Sequence, residues 1–487
     1  MRSPFDTDEI NALVETLVQK TLTHNADITT TRDAMPEKKA AYTAQITSFE
    51  TNRGGALWYP YIASGRGNGA LVELLDGSVK YDLISGIGVH WGHAHPKLLK
   101  ATLTAALRST VMHGNLQQDM LSVELIDILT KHSGFDHAFL STSGAMANEN
   151  ALKLAFHHHP GRTRVIAFEH CFMGRTITLA SITDKAAYRE GLPTSIAVDY
   201  IPFYDANQPE KSAQKLKDYL QRYPEKHAVL CLELIQGEGG YYPAPASFFK
   251  TLIAIAKKAG ISILADEVQT FGRTECLFAS QTLGLIDDID LLTVGKLLQG
   301  CATLFRSSHK PKPGLISQTF TGSSTALAAG ISILTQLTTE PYLGPNGKII
   351  TLSTTFRDRL SRLATKYPGS IHGPFGYGSM IAFTPFGGSM EEAKSLCKQL
   401  FEQGIIGFIA GANPARIRFL LPIGGIQESD LDPIFNRIDM ALSLGEFEGA
   451  HTAANGEGVR TLNSNKPLLG GAGVGKNLYP NKKESHS

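Results

Sequence analysis

Residues 261–296 read ISILADEVQTFGRTECLFASQTLGLIDDIDLLTVGK. Two short apolar runs stand out, Ile261–Ala265 and Ile289–Val294. The first is followed at once by Asp266, the second by Gly295 and Lys296. Near-continuous apolar runs of this length read as strands covered on both faces. Similar runs occur at His137–Ser141, Arg164–Phe168 and Val229–Ile235. Helical patterns separate them, among them Ala145–Phe156 and Ala246–Ala259, the latter stopped by Gly260. The alternation predicts an α/β fold, a mostly parallel sheet sandwiched by helices.

Outward from this centre the pattern changes. Residues 1–50 are polar and sparsely apolar and read as a mobile helix and arm. A hairpin is expected where Asp76-Gly77 separates Ala70–Leu75 from Val79–Leu83. The large domain is placed at 51–340, with segment 55–95 assigned to the side of the small domain. Beyond 340, helix 348–366, run Ser379–Thr384, helix 389–403, run Arg416–Leu421 and helix 428–443 read as a small α+β domain, 341–444. The stretch 445–487, rich in Gly, Asn, Lys and Ser, reads as a disordered tail.

Composition narrows the function. Of 487 residues 42% are hydrophobic and 19% charged, which is enough for a core and excludes wholesale disorder. The 46 basic and 45 acidic residues nearly balance and no basic block occurs, which argues against nucleic acid or an anionic membrane as partner. No apolar run reaches the roughly eighteen residues of a membrane span. The N-terminus lacks the apolar core of a signal peptide. The 5 cysteines are scattered without a C-x-x-C, as expected of reduced thiols in a cytoplasmic protein.

Three features carry chemistry. Ser141-Thr-Ser-Gly-Ala-Met-Ala-Asn-Glu-Asn ends a strand and opens a helix. Ser143, Gly144 and Ala145 are small, so amides at the helix N-terminus can approach a phosphate, although an ordinary helix cap uses the same residues. Asp266 stands at the carboxyl end of a buried strand, where open parallel sheets bind ligands. An unpaired carboxylate is costly there, so it should face a cation or a protonated ring nitrogen; a helix cap is the alternative. Lys296 ends another strand after a glycine that opens space. Burial would favour its neutral amine, a nucleophile for carbonyls. Together the three match the needs of pyridoxal 5′-phosphate, PLP.

At these residues the sequence resembles the class III (ornithine and acetylornithine type) aminotransferases of PLP fold type I. The resemblance spans roughly residues 55–440. It is carried by Asp82–Pro96, Thr142–Ala155, Phe172-Met-Gly-Arg-Thr, Glu233-Leu-Ile-Gln-Gly-Glu-Gly-Gly, Ala265–Thr274 and Asp290–Lys296. It implies that Lys296 is the Schiff-base lysine and proton shuttle, and that Asp266 partners the pyridine nitrogen. It implies Val268 and Phe172 on the two ring faces, Gln269 at the ring hydroxyl, and Ser143, Gly144 and Ala145 at the phosphate. Thr319 resembles the threonine that reaches the phosphate from a neighbouring subunit, which implies a homodimer. Arg418 resembles a carboxylate clamp, Glu238 its switching partner and Arg175 a second carboxylate-binding arginine. An ordinary ion pair is the alternative for Arg418 and Glu238. The implied reaction moves an amino group from an ω-amino donor (ornithine, acetylornithine, lysine or 4-aminobutyrate type) to a 2-oxo acid, with 2-oxoglutarate expected. An aminomutase, racemase or decarboxylase of the same fold, or a PLP-binding scaffold, would share these residues.

Departures from the family pattern fall at Met146, at Met173, after Thr270 where a glycine is missing, and at Thr321-Gly-Ser-Ser. They touch the substrate pocket and leave the cofactor residues in place. Trp58, Tyr59 and Tyr61 compete for the aromatic position facing the substrate. No metal site is expected. His157–His159 closes a helix and suits its dipole, and His93 and His95 sit in a loop before Pro96. Gly470–Lys476 is close to a P-loop, but Asn477 follows where Ser or Thr is required.

Overall fold

Seven strands form the central sheet of the computed structural model. Their order is His137–Ser141, Cys301–Phe305, Leu291–Val294, Ser262–Glu267, His227–Leu232, Arg164–Phe168 and Ala197–Ile201. Only Cys301–Phe305 runs against the rest, pairing antiparallel with both neighbours. The structure describes Phe5, Thr7–Tyr59 and Tyr61–Ala454, with side chains to Leu444. The unit Met1–Ser443 is compact; the unit from Leu444 is described only as the end of a helix.

The expected strands are present to within a few residues, and two more join them. Ala197–Ile201 escaped notice because Asp199 interrupts its apolar run. In the sheet that carboxylate takes two bonds from Arg164 (both 2.7 Å) and contacts His227 Nε2 at 2.7 Å. Cys301–Phe305 directly follows the lysine turn, too close to it to read as a separate strand. Helix Gly144–His158 lies across the sheet, and helix Ala246–Lys258 ends where Gly260 takes φ +63°.

Where helix and arm were expected, the described N-terminal residues form helices Asp8–Asn25 and Pro36–Arg53, and the first buries Val14 and Val18 as it packs on Pro96–Ala106. The hairpin appears as Leu71–Leu74 and Val79–Asp82, with the Asp76 carboxylate accepting from Ser78 N (2.9 Å) and Ser78 Oγ (2.7 Å). Val79–Asp82 then pairs in parallel with Ile405–Ile406. A separate antiparallel sheet, ordered Ile371–Tyr377, Met380–Pro385, Arg416–Leu420, Phe408–Ala410, carries Arg418 on an inner strand. The expected boundary at 340 falls between helices Ser324–Thr339 and Lys348–Lys366. The last described helix is Leu431–Ala454, so helix continues for ten residues into the stretch expected as a tail from 445. Residues 455–487, including Gly470–Lys476, lie outside the described residues. No described helix is long and apolar enough to cross a membrane.

Candidate active site

Sheet register brings the three sequence features to one edge. Asp266 stands opposite Thr293, Val294 opposite Ala302, and Ser141 opposite Cys301. The strand ends carrying Asp266, Lys296 and the 141–145 turn therefore meet, and a cavity of about 430 Å³ opens over them. Gly144, Ala145, Asp266, Val268, Gln269 and Lys296 line it, together with Phe172, Arg175 and Glu238.

Lys296 occupies the left-handed region at φ +49°, a strained backbone for a side chain of this size. Burial lowers its pKa, against the pull of Asp266 and Glu238. Gly295 is extended, so its backbone suits any residue. Its lack of a side chain matters for space: a Cβ there would stand 2.6 Å from Cys301 Sγ and 3.2 Å from Val268 Cγ1. Gly295→Ala should therefore overpack the lysine turn and cost about 1–3 kcal/mol. Thermal unfolding of the purified variant measures this; an unchanged midpoint would show that the turn relaxes freely.

Asp266 is buried, and burial raises its pKa. Its Oδ1 accepts from Val268 N at 2.9 Å and its Oδ2 from Asn148 Nδ2 at 2.7 Å. Asn148 is itself fixed, donating to Met173 O (2.8 Å) and accepting from Thr293 Oγ1 (2.8 Å). Sequence reasoning quoted Asn148 inside a motif without giving it a role. A polar residue one helical turn past Gly144, on the sheet-facing side, was the available signal.

The turn after His137–Ser141 caps the helix that follows, one of the two readings offered for it. Ser143 Oγ caps the helix by accepting from Met146 N at 3.2 Å, and Ser143 does not line the cavity. Gly144 and Ala145 do, and a Cβ on Gly144 would meet Val268 Cγ1 at 2.7 Å. Phe172 is held by its backbone, whose N–H donates to Glu233 Oε2 at 2.9 Å. Glu233 also accepts from Gly237 N at 3.2 Å, and burial with the nearby Asp266 pushes its carboxyl up to about 8. It is a second site residue that sequence reasoning left without a role.

Arg418 is fully buried, with Nη2 2.6 Å from Glu238 Oε1. That is an ion-pair distance without hydrogen-bond alignment, and Nε and Nη1 have no partner. Burial opposes both charges, but each outweighs it for the other: the Glu238 carboxyl is held low and the Arg418 guanidinium high. Arg175 is exposed, its guanidinium 3.9 Å from the centre of the Tyr188 ring. Thr319 is exposed and outside the cavity, with its carbonyl against Gly114. Tyr59 OH donates to Gly407 O at 2.5 Å, Tyr61 stacks on Phe401, and Trp58 meets the edge of Phe408; none of the three lines the cavity.

These residues fit PLP. A buried carboxylate faces the cavity beside a lysine, as a pyridinium nitrogen requires. Gln269 Oε1 is buried without a partner at the wall, and Gly144 leaves a niche beside a helix N-terminus for an anion.

Comparison with known proteins agrees. The family described as Aminotransferase class-III matches residues 56–442. The acetylornithine aminotransferase of Archaeoglobus fulgidus is 30% identical over 375 residues, covering 75% of this chain and 92% of the relative. That of Clostridium acetobutylicum is 30% identical over 396 residues, covering 78% and 94%. The ornithine aminotransferase of Toxoplasma gondii, whose structure shows PLP at partial occupancy in its active site, superposes with a TM-score of 0.71 at 25% identity, covering 85% of this chain and 99% of the other. With the site geometry and the family match in agreement, the chain belongs to the class III aminotransferases, enzymes that depend on pyridoxal 5′-phosphate.

Proposed function

We propose that this enzyme takes the amino group of an ω-amino donor of the ornithine, acetylornithine, lysine or 4-aminobutyrate type and passes it to 2-oxoglutarate. The observation carrying this reading is the buried Arg418–Glu238 pair. A ping-pong transaminase must admit two partners to one site in turn, one of them with two carboxylates. An arginine with unpartnered nitrogens and a displaceable carboxylate suits that task. While Glu238 neutralises Arg418, the site favours the donor; when Glu238 moves aside, the guanidinium grips a carboxylate of the oxo acid. The names of the relatives support donors of this kind.

Bound PLP supplies an aldehyde for the amine and a ring that stores electrons. The protein's residues supply the rest. Lys296 Nζ holds the cofactor and moves the proton at the donor carbon that bears nitrogen. Asp266 keeps the proton on the ring nitrogen, Asn148 aims Asp266, and Gln269 bonds the ring hydroxyl. Val268 and Phe172 flank the ring, the turn 143–145 seats the phosphate, and Arg175 is a second carboxylate contact.

The test is a visible spectrum of the holoenzyme with candidate donors added singly. One donor should bleach the cofactor band and 2-oxoglutarate should restore it. A band that no donor bleaches would defeat the reading in favour of an aminomutase, racemase or decarboxylase. Glu238→Gln should lower kcat/KM for the ω-amino donor at least about 10-fold, because a buried guanidinium is left without its counter-charge. The oxo-acid half-reaction should change less, and separate half-reaction kinetics read the split.

We also infer a homodimer whose partner brings Thr319 to the phosphate. Thr319 is exposed and does not line its own cavity, and Phe320, Leu116 and Val111 are exposed apolar side chains on the same or adjoining segments. Mixing Lys296→Ala and Thr319→Ala subunits should restore one intact site per mixed dimer; no regain of activity would refute sharing. We place the enzyme in the cytoplasm, a reading supported by its unpaired cysteines.

A further inference from the structure

Helix Gly144–His158 begins at the cavity and, with 15 residues at about 1.5 Å each, ends roughly 22 Å away. Two other elements reach the same distant edge of the sheet. Strand Ser262–Glu267, which carries Asp266 at its far end, begins there, and strand Cys301–Phe305 leads there into the turn Ser307–His309. These elements bring together three imidazoles. The ligand atoms of His158, His159 and His309 all lie within 4.8 Å of one another. The sequence shows only the pair His158–His159; the fold delivers His309 from a distant segment.

We propose that His158, His159 and His309 bind a divalent transition-metal ion, zinc in particular, at a site separate from the active site. Three imidazoles suit a borderline ion such as Zn²⁺, with a fourth position left to water. Nitrogens around one such ion stand about 3.3 Å apart, so the rings must draw together. His158 is exposed and supplies that movement, while His309 is buried and His159 half-buried. Ser262 can act as outer partner to the inner two, but both nitrogens of His309 are engaged by serines, so the ion must displace Ser308 from its Nδ1. Ser262 Oγ lies 2.9 Å from His159 Nε2 and 2.7 Å from His309 Nε2, and Ser308 Oγ lies 3.0 Å from His309 Nδ1.

Rings His158 and His309 stack with centroids 4.1 Å apart and planes 27° apart. Their in-plane lone pairs do not converge in that arrangement, so the exposed His158 ring must also turn for both to meet one ion.

The test uses the PLP-loaded enzyme, freed of metals by chelator and titrated with Zn²⁺ against a chromogenic competitor. Wild type should take up about one ion per chain at this site with a dissociation constant near or below about 1 µM. His158→Ala, at an exposed position that leaves folding intact, should lose that ion, as should His309→Asn. Ser262→Ala should weaken binding roughly 10-fold. Co²⁺ should give the visible absorption of a low-coordinate nitrogen site in wild type and not in His158→Ala. Absence of saturable uptake by wild type would overturn the proposal. So would undiminished uptake by His158→Ala, which would place the ion elsewhere. Neither readout depends on transamination, so this result stands or falls apart from the substrate reading.

Discussion

Replacing Lys296 by alanine should reduce transamination by about 10⁴-fold or more while PLP still binds. The chain places one lysine at the cavity, at the end of strand Leu291–Val294 and within electrostatic reach of Asp266. Its backbone is held at φ +49°, an uncommon conformation for lysine, which aims the side chain from a turn that Gly295 keeps open. Burial favours the neutral amine that the chemistry needs. The variant loses both the covalent attachment and the base that moves the proton. The phosphate seat and Asp266 remain, so cofactor should still copurify. Single-turnover kinetics with the preferred donor measure the loss. Turnover within tenfold of wild type would remove Lys296 from the mechanism.

Asp266→Asn should lower kcat by about 10²–10³-fold with little loss of stability. The substitution keeps the shape of the side chain and one of the two bonds accepted from Val268 N and Asn148 Nδ2. What it removes is the negative charge that holds a proton on the cofactor ring, and with it the ring's capacity as an electron sink. A carboxylate that merely capped the following turn would give the opposite pattern, a lower unfolding midpoint and near-normal kcat. Measuring both on one preparation separates the roles. Asn148→Ala should produce a milder version, because Asp266 would keep its charge and lose its orientation.

The sheet was legible in the sequence because its strands are buried on both faces and so nearly continuous in apolar residues. Lys296 and Asp266 were legible because each sits directly after such a run. Ala197–Ile201 was hidden by Asp199, whose partners Arg164 and His227 come from other strands and cannot be seen from spacing. The N-terminal segment could be read only as helix and arm, without bounds, because two buried valines hold its first helix, too few for a strong pattern. Asn148 and Glu233 went without roles for a related reason. Their importance lies in which backbone and carboxylate atoms they meet, a property of the folded chain. The histidine cluster is the extreme case, since one of its members arrives from the end of a different strand.

The parallel pairing of Val79–Asp82 with Ile405–Ile406 bears on how the protein is made. Lys80 Nζ donates to Phe401 O across 321 positions of chain. The strand made first must therefore wait for about 320 further residues before its edge is covered. Contacts of such long range slow folding, and an uncovered strand edge invites association with other chains. Nascent chains stalled before residue 400 should aggregate more readily than chains released after 410. Ribosome-arrested chains of graded length would locate the point at which solubility returns.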